Sequence, residues 1–469
     1  MRTLKNILQV IISNVSTILC GVLVGFVIPK ILTVGDYGMY KIFMLYANYL
    51  GILSLGIIDG IVLKYGGYDY EQLDKKKFRG YFAWYTLLTF GFCLLFVAAS
   101  AFVNNVEYRH ILVALGLYLV AVNVLGYYQQ ISQITQRFRE YSNIKLIQSL
   151  LNSAIVLVFL FIHVRGGAVT YMQYTVVFVL MNIALALWYV ISYREIVFGK
   201  RESLASCAGE VFGLARKGFP LLVANLCSLL ILSLDRQFVS VLFTKEQYAT
   251  YAFAYSMLAL VTVATSAVST VLYPLLKRQN AEDLVAGYEH YVGAVIAFVG
   301  LGAVVFFPLA WFIRWFLPNY TESIVIFRII LPGLGFSSAI SVVVQNYFKV
   351  YDRSNAFFGI SVVILIISFV FNYIAWMIFK SRESISVASI ITITIWFIVA
   401  NGYIQRQHRD YRALNLVYGL LQMGLFYGAT CIDNLLVSSA LYVAGSAAVT
   451  YICQRSTLKQ LYLQLKANQ

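Results

Sequence analysis

Charged residues are scarce in this sequence. Asp, Glu, Lys and Arg make up only 12% of its 469 residues, whereas a soluble domain usually carries about 25%. The chain lacks any G-x-x-x-x-G-K-[ST] segment, which excludes ATP hydrolysis at a P-loop. It also lacks a recognisable pair of nucleophile and base. These absences favour a protein that is not an enzyme and that needs no cofactor.

Metal-binding and disulfide patterns are missing as well. The four histidines are scattered along the chain and show no metal-ligand spacing. None of the six cysteines forms a C-x-x-C motif, and most of them lie inside apolar runs. The sequence therefore predicts neither a zinc site nor disulfide bonds.

Apolar length, in contrast, is abundant. Hydrophobic residues make up 61% of the chain, and the mean hydropathy is +0.78. Apolar runs of about 20 residues, enough to cross a bilayer core as a helix, recur along the whole length. We therefore predict an all-α polytopic membrane protein with about 14 transmembrane helices. The predicted spans are 7–31, 38–63, 80–103, 111–133, 143–163, 171–193, 218–243, 249–276, 286–313, 323–348, 355–379, 386–404, 414–431 and 435–453.

The net charge of +15 is a possible sign of nucleic-acid binding. The basic residues are instead spread over many short loops, so membrane topology explains them better and no nucleic acid is expected. With the N-terminus inside, 25 of the 35 Lys and Arg fall on the inner side and 7 on the outer side. This bias predicts that both termini face the cytoplasm. The first apolar segment has no cleavage signal, which favours a retained first span.

One short phrase occurs twice in the chain. The segments "LTVGDYGMY" (32–40) and "FTKEQYATY" (243–251) align with an offset of 211 residues. Both stand where a first helix ends outside and a second begins. Because six spans separate them, the two halves share one orientation, and such parallel repeats place substrate sites at the interface between halves. The identical pairs are Thr33 and Thr244, Tyr37 and Tyr248, and Tyr40 and Tyr251.

The repeat predicts the domain organisation. Residues 1–193 and 218–404 form two six-helix bundles, and residues 194–217 form a cytoplasmic linker between them. Residues 405–469 then add two further transmembrane helices and a cytoplasmic tail. Every predicted outside loop is short, so no soluble domain is expected.

The opening of the chain carries a family resemblance. The segment "NILQVIISNVSTILCGVLVGFVIPKILTVGDYGMYKIF" leads from a first span with scattered polar residues into P-x-x-L-x-x-x-[DE]-[YF]-G-x-[YF]. In this it resembles the polysaccharide transporter family. The Wzx-type flippases of that family belong to the MOP superfamily, together with the MATE drug exporters and the lipid II flippases. The predicted span number, orientation and repeat agree with this resemblance over the whole chain.

The resemblance implies a fold and a function. It implies two MATE-like pseudo-symmetric bundles around a central cavity that work by alternating access. It implies transfer of an undecaprenyl-pyrophosphate-linked oligosaccharide from the inner to the outer leaflet of the bacterial cytoplasmic (inner) membrane, for surface polysaccharides such as O-antigen. The implied partners are this lipid-linked oligosaccharide, membrane lipids, a coupling ion (H⁺ or Na⁺) and a polysaccharide polymerase complex.

Two other functional classes stay open. A MATE-type antiporter of drugs or small molecules, driven by a cation, would share the architecture. A membrane-embedded glycan polymerase or glycosyltransferase is the enzyme alternative, although such enzymes usually carry catalytic residues on a large outer loop that the sequence lacks.

Span 2 supplies the first candidate substrate contacts. Lys41, Asn48 and Asp59 are separated by steps of 7 and 11 residues, each of which returns to within about 20° of one direction on a continuous helix. We therefore predict a polar stripe that faces the lumen, because charges inside spans usually face water or a bundle interior. The alternative is that Lys41 and Asp59 extend to the two membrane interfaces.

Span 7 supplies the second group. Arg236 shares a predicted helical face with Asn225, and at the repeat offset it aligns with Gly25 of span 1. A guanidinium binds diphosphate or sugar-acid oxygens in a bidentate manner, so Arg236, Asp235 and Asn225 are predicted substrate contacts. The alternative is that Asp235 and Arg236 neutralise each other locally.

Three more candidates lie in the second half. Arg314 and Arg328, together with Lys41 and Arg236, would form a basic outer vestibule, and Gln345 lies deeper in span 10. Arg314 is explained equally well as an interface anchor beside two tryptophans.

Overall fold

The computed structural model describes residues 2–277, 279–410 and 412–455. All regular secondary structure in that part of the chain is helical, and it contains no strand. The chain divides into two compact units, an N-terminal unit (Met1–Leu226) and a C-terminal unit (Cys227–Gln469). The boundary between them lies inside a long helix, Leu204–Ile231.

Eight α-helices begin among the described residues of the N-terminal unit. They are α1 (Arg2–Ile31), α2 (Val34–Ala47), α3 (Ile57–Tyr65), α4 (Lys75–Ser100), α5 (Val106–Ile134), α6 (Phe138–Val164), α7 (Tyr171–Ser192) and α8 (Leu204–Ile231). Side chains at the starts of α2, α4, α5 and α7 accept otherwise unpaired backbone N–H groups. Asn105 before α5 is one example, since its Oδ1 accepts the N–H groups of Glu107 and Tyr108.

The described residues of the C-terminal unit form shorter and more interrupted helices. They are α9 (Leu234–Leu242), α10 (Lys245–Leu276), α11 (Ala281–Gly302), α12 (Phe306–Phe316), α13 (Ser323–Ile330), α14 (Leu334–Ala339), α15 (Gln345–Val350), α16 (Ser354–Phe379), α17 (Arg382–His408), α18 (Leu414–Ala429) and α19 (Leu435–Cys453). A 3₁₀ turn that contains Pro332 separates α13 from α14, because proline cannot donate the helical hydrogen bond. A π-helical segment, Ile340–Val344, separates α14 from α15.

The predicted all-α polytopic fold is confirmed. Among the described residues, ten helical segments are long and apolar enough to cross a membrane, or eleven if one bent pair counts as a single span. The other predicted spans coincide with α1, α10 and α18, and α18 is only 16 residues long.

The prediction of one continuous helix over 38–63 is wrong. α2 ends at Ala47, a 3₁₀ turn follows, and α3 continues at an angle of 58°. Leu55 and Gly56 adopt positive φ angles of 50° and 82° at the bend, a conformation that glycine adopts at little cost. The prediction of one continuous helix over 218–243 is wrong too, because α8 ends at Ile231 and α9 begins at Leu234.

Glycines allow α3 and α8 to cross with their backbones in contact. A Cβ atom on Gly60 would lie 2.0 Å from the carbonyl oxygen of Leu214, and one on Gly218 would lie 2.1 Å from that of Gly56. No side chain fits at either position. Such close crossings through small residues are a common way to pack helices inside membranes.

The first half of α8 covers part of the predicted linker and is fixed on α4. The Lys77 ammonium lies 2.8 Å from the Glu210 carboxylate, and the Tyr81 hydroxyl also donates to that carboxylate. The indole N–H of Trp84 donates to the carbonyl oxygen of Leu204 at 2.7 Å. Residues 204–217 are therefore an ordered, docked helix within the N-terminal unit.

Glu289 of α11 anchors the last two helices of the C-terminal unit. Its carboxylate accepts hydrogen bonds from Gln405 of α17 at 2.8 Å and from Asn415 of α18 at 2.6 Å. Asn415 in turn accepts a hydrogen bond from Gln454, just after α19, at 2.7 Å. A half-buried carboxylate thus organises amide side chains from three neighbouring segments.

Candidate substrate-contact site around Arg236

The repeated phrase of the sequence forms the same helix cap in both halves. The Thr33 hydroxyl accepts the N–H of Asp36 at 3.1 Å and starts α2. The Thr244 hydroxyl accepts the N–H of Gln247 at 3.3 Å, and the Gln247 side chain accepts the N–H of Thr244 at 3.1 Å. Such reciprocal caps fix the first turn of a helix. The phrase therefore sets the position of the side chains that follow it.

The shared tyrosines at the end of the phrase are buried in different surroundings. Tyr40 packs edge-on against Tyr174, with ring centroids 5.1 Å apart. Tyr251 donates its hydroxyl to Asp235 Oδ2 at 2.7 Å. The two halves therefore diverge at the point where the second half places a buried carboxylate.

Both oxygens of that carboxylate, which belongs to Asp235, accept hydrogen bonds from nearby residues. Asp235 lies in the first turn of α9 and is only 2% exposed. Its Oδ1 accepts the backbone N–H of Arg236 at 2.7 Å, and its Oδ2 accepts the hydroxyls of Tyr251 and Tyr255. Within the described residues, no ion pair joins it to the Arg236 guanidinium. The two charges are adjacent, but they do not neutralise each other by direct contact.

The Arg236 guanidinium keeps donors to spare. One of its terminal nitrogens donates to the carbonyl oxygen of Leu232 at 3.0 Å, and its carbon lies 4.7 Å from the centroid of the Tyr255 ring. Its Nε is buried and has no hydrogen-bond partner in the part of the chain that the structure describes. A buried charged donor left unpaired costs about 1–3 kcal/mol or more. The guanidinium is thus prepared for an acceptor.

The guanidinium borders a cavity within the C-terminal unit. The cavity has a volume of about 350 Å³, which lies within the range of small-molecule sites. Most of its walls are aliphatic, from α8, α10, α14 and α17. The side chains that bring polar groups to it are Asp235, Arg236, Tyr255, Ser337 and Ser389. A small number of polar groups in a mostly apolar pocket is the usual arrangement that fixes the orientation of a bound ligand.

The three candidates of span 2 lie on separate segments. Lys41 is half-buried on α2, between the rings of Tyr37 at 5.3 Å and Tyr40 at 5.6 Å. Asn48 is exposed directly after α2, and Asp59 is half-buried in the first turn of α3. Because the helix is broken between them, the helical-wheel argument does not extend from Lys41 to Asp59. Their role as substrate contacts stays a prediction.

The remaining candidates lie outside the cavity lining. Asn225 is exposed on α8, and the break after Ile231 removes the continuous helical face that it was predicted to share with Arg236. Arg328 and Gln345 are half-buried on α13 and α15. None of these three is among the lining residues.

Arg314 shows the pattern of an interface anchor. It is exposed on α12, as are Trp311 and Trp315, whose rings stack with centroids 6.0 Å apart. Tryptophan and arginine side chains together are typical of the membrane–water boundary. Arg314 is not among the cavity-lining residues either.

Sequence reasoning missed the partners that give Arg236 its geometry. Tyr255 follows the repeated tyrosine Tyr251 by one helical turn, and that spacing was the only sequence signal. Ser386 of α17 donates to the Tyr251 hydroxyl at 3.3 Å. The spacing alone could have placed Tyr255 beside Tyr251, whereas the contact from Ser386 depends on a long-range approach.

Comparison with known proteins decides the family. The profile of a family described as "Polysaccharide biosynthesis protein" matches residues 3–280. The chain belongs to this family. The resemblance found in the opening sequence is thereby confirmed, and a search of curated proteins found no match.

Solved structures with the same fold are transporters. The lipid II flippase MurJ in an inward closed conformation has a TM-score of 0.72 and 13% identity, over 97% of this chain and 100% of that chain. A multidrug resistance MATE family transporter of the MOP superfamily has a TM-score of 0.61 in its inward-facing conformation, with 12% identity over 85% of this chain and 94% of that chain. An outward-facing MATE structure has a TM-score of 0.52 and 12% identity, over 86% of this chain and 95% of that chain. At these identities the likeness shows the fold, which is that of MOP-type transporters.

Proposed function

We propose that this protein is a flippase. It moves undecaprenyl-pyrophosphate-linked oligosaccharide units from the inner to the outer leaflet by alternating access, for assembly of surface polysaccharides such as O-antigen. Membership of a polysaccharide biosynthesis family and the transporter fold support the proposal. The observation that carries it is that Arg236 lines a cavity and that its buried Nε has no hydrogen-bond partner among the described residues.

The chemistry of the cavity suits one part of such a substrate. A diphosphate presents several anionic oxygens, and a guanidinium binds such oxygens with parallel N–H donors. Ser337 and Ser389 offer hydroxyls for phosphate or sugar groups at the same cavity. Arg236 is thus the proposed diphosphate contact, and the predicted contacts Lys41, Asn48, Asp59, Asn225, Arg314, Arg328 and Gln345 stay proposals.

We propose further that the protein resides in the bacterial cytoplasmic membrane with both termini inside, and that H⁺ or Na⁺ drives transport. The proposed organisation is two bundles, 1–193 and 218–404, with the linker and the last two helices inserted as predicted. A polysaccharide polymerase complex is the proposed partner. Reporters fused after Gln469 and within 194–217 should read as cytoplasmic, and one near Lys245 should read as external. An internal reading at Lys245 would overturn this topology.

Reconstitution tests the transport activity. Purified protein in proteoliposomes that contain lipid-linked oligosaccharide should make the glycan accessible to a glycosidase added outside, faster than protein-free liposomes do. The same proteoliposomes should not move a cationic dye along an imposed H⁺ or Na⁺ gradient. Dye movement without glycan movement would instead favour the antiporter class, and glycan elongation would favour the polymerase class.

A further inference from the structure

We propose that Asp235 is a positioning residue that fixes the Tyr255 ring beneath the Arg236 guanidinium and so aims Arg236 at its cavity. Its carboxylate was first predicted as a substrate contact. The contacts described above give it a different task, because both oxygens already accept hydrogen bonds from the protein. A carboxylate that is 2% exposed and accepts three hydrogen bonds within the protein has little capacity left for a ligand.

The Tyr255 ring connects the Asp235 carboxylate to the Arg236 guanidinium. Tyr251 and Tyr255 lie one turn apart on α10, with ring centroids separated by 5.5 Å, and both donate to Asp235. Of these two rings, Tyr255 lies under the guanidinium, with its centroid 4.7 Å from the guanidinium carbon. A ring that is tethered through its hydroxyl cannot rotate away from the cation above it. The cation–π contact then holds the guanidinium without using its in-plane N–H donors, one of which donates to the carbonyl oxygen of Leu232.

The internal repeat shows which residues belong together. At the offset of 211 residues, the first half keeps a tyrosine for Tyr251 (Tyr40) and a hydroxyl residue for Ser386 (Thr175). The other three positions, equivalent to Asp235, Arg236 and Tyr255, differ all at once. They hold Val24, Gly25 and Met44 in the first half. The carboxylate, the guanidinium and the ring beneath it therefore occur as one set, in one half only.

The joint occurrence of Asp235, Arg236 and Tyr255 favours a positioning role over two alternatives, a purely structural role and neutralisation of the Arg236 charge. A carboxylate that served only to hold the helices together would be expected with Tyr40 as well, because that tyrosine is equally buried. A carboxylate that neutralised Arg236 would be in contact with the guanidinium, and it is not. That Arg236 binds an anion rests on the proposed function, whereas its positioning by Asp235 does not.

Chemical modification of unliganded protein measures the positioning directly. Purified full-length protein in nanodiscs is treated with phenylglyoxal, and modification of Arg236 is followed by mass spectrometry, with half-buried Arg328 as the internal reference. Asp235→Val, the residue of the first half, should change the Arg236 rate by about threefold or more, because the ring is released. Asp235→Asn keeps one acceptor oxygen for the two tyrosines but turns its NH2 group towards the backbone N–H of Arg236, so its rate should lie between those of the wild type and Asp235→Val.

Matched tyrosine variants keep the test independent of one substitution. Tyr255→Phe should change the Arg236 rate, whereas Tyr251→Phe, which removes a hydroxyl from the same carboxylate, should change it less. Tyr255→Leu should change the Arg236 modification rate as Asp235→Val does. It serves as the test if the Asp235→Val protein does not fold. Equal effects of Tyr251→Phe and Tyr255→Phe, or an unchanged rate in Asp235→Val, would overturn the proposal.

A double-mutant cycle connects the positioning to binding. With undecaprenyl pyrophosphate as the probe, Asp235→Val should weaken binding in the wild-type background and have no further effect in an Arg236→Ala background, since residues that act through one another are not additive. Additive losses would show that Asp235 contacts the probe or an ion by itself. If the wild type does not bind the probe, the proposed function fails, and the modification rates still decide the positioning.

Discussion

Thr33 and Thr244, 211 residues apart, start equivalent helices with the same hydrogen bond. Each hydroxyl accepts the backbone N–H three residues later, at 3.1 and 3.3 Å. The same offset relates Thr170 and Ser381, whose side chains cap α7 and α17. The repeat is therefore visible in the structure as matching helix starts, each capped by a threonine or serine side chain.

Loss of these caps should destabilise both halves alike. Thr33→Ala and Thr244→Ala should each cost about 1 kcal/mol of stability, because the backbone N–H of Asp36 or of Gln247 loses its side-chain acceptor at a helix start. The thermal unfolding midpoint of the purified protein is the measurement. Thr33→Ser and Thr244→Ser keep the hydroxyl and should stay near the wild type. Serine variants as unstable as the alanine variants would show that the methyl group matters and the cap does not.

The glycine crossing of α3 and α8 should not tolerate a single methyl group. Gly60→Ala would place a carbon 2.0 Å from the Leu214 carbonyl oxygen, and overpacking of this kind costs about 1–3 kcal/mol or more. We expect a reduced yield of monodisperse protein. Gly126→Ala on α5, where nothing lies within 4 Å of the added carbon, is the matched control. Similar yields for both variants would contradict the backbone contact.

Replacement of Arg236 should reduce glycan export in graded steps. Arg236→Lys keeps the charge but loses the bidentate donors, so it should retain part of the activity, and Arg236→Ala should retain much less. Export is measured in cells at matched protein level, with Arg353→Ala at an exposed arginine as the control. Because Asp235 is not ion-paired with Arg236, the double variant Asp235→Ala with Arg236→Ala should stay inactive. Recovery of level and export in the double variant would instead show a structural pair.

Removal of the Glu289 carboxylate should loosen the last two helices. Glu289→Leu removes one acceptor from each of the Gln405 and Asn415 side-chain amides, which keep only the backbone carbonyl oxygens of Arg412 and of residue 289. Each lost hydrogen bond to the charged carboxylate costs about 1.5–3 kcal/mol. The unfolding midpoint should fall, and Glu289→Gln, which keeps one acceptor oxygen, should be intermediate. Glu282→Gln in the exposed first turn of the same helix should have no effect. An unchanged midpoint in Glu289→Leu would mean that the amides find other partners.

Cysteine labelling tests whether the span 2 candidates face water. In a Cys-free background, cysteines at Lys41, Asn48 and Asp59 should react with a small water-soluble thiol reagent. Cysteines at Leu50 and Ile57 should be protected, since these side chains are 3% and 5% exposed. Exposure to lipid would also leave a residue unreactive, so the assay separates water from bilayer. Protection at all five positions would remove these residues from any lumen.

The sequence by itself determined the all-helical membrane fold, the positions of the spans and the family. The length of an apolar run and the residues that cap a helix are local properties of the sequence. An apolar run inside a bilayer must satisfy its backbone hydrogen bonds internally, so it forms a helix. The equivalence of Thr33 and Thr244 could likewise be recognised from the sequence, because each cap involves residues only three positions apart.

Only the tertiary structure decided where helices break and which side chains meet. Helical-wheel arguments assume about 100° per residue without interruption, but the chain bends at Gly56, where the backbone of α8 lies in close contact. The same limit applied to Asp235. Arg236 is its neighbour in sequence, yet its side-chain partners are the hydroxyls of Tyr251 and Tyr255, which only the approach of α10 brings within hydrogen-bonding distance.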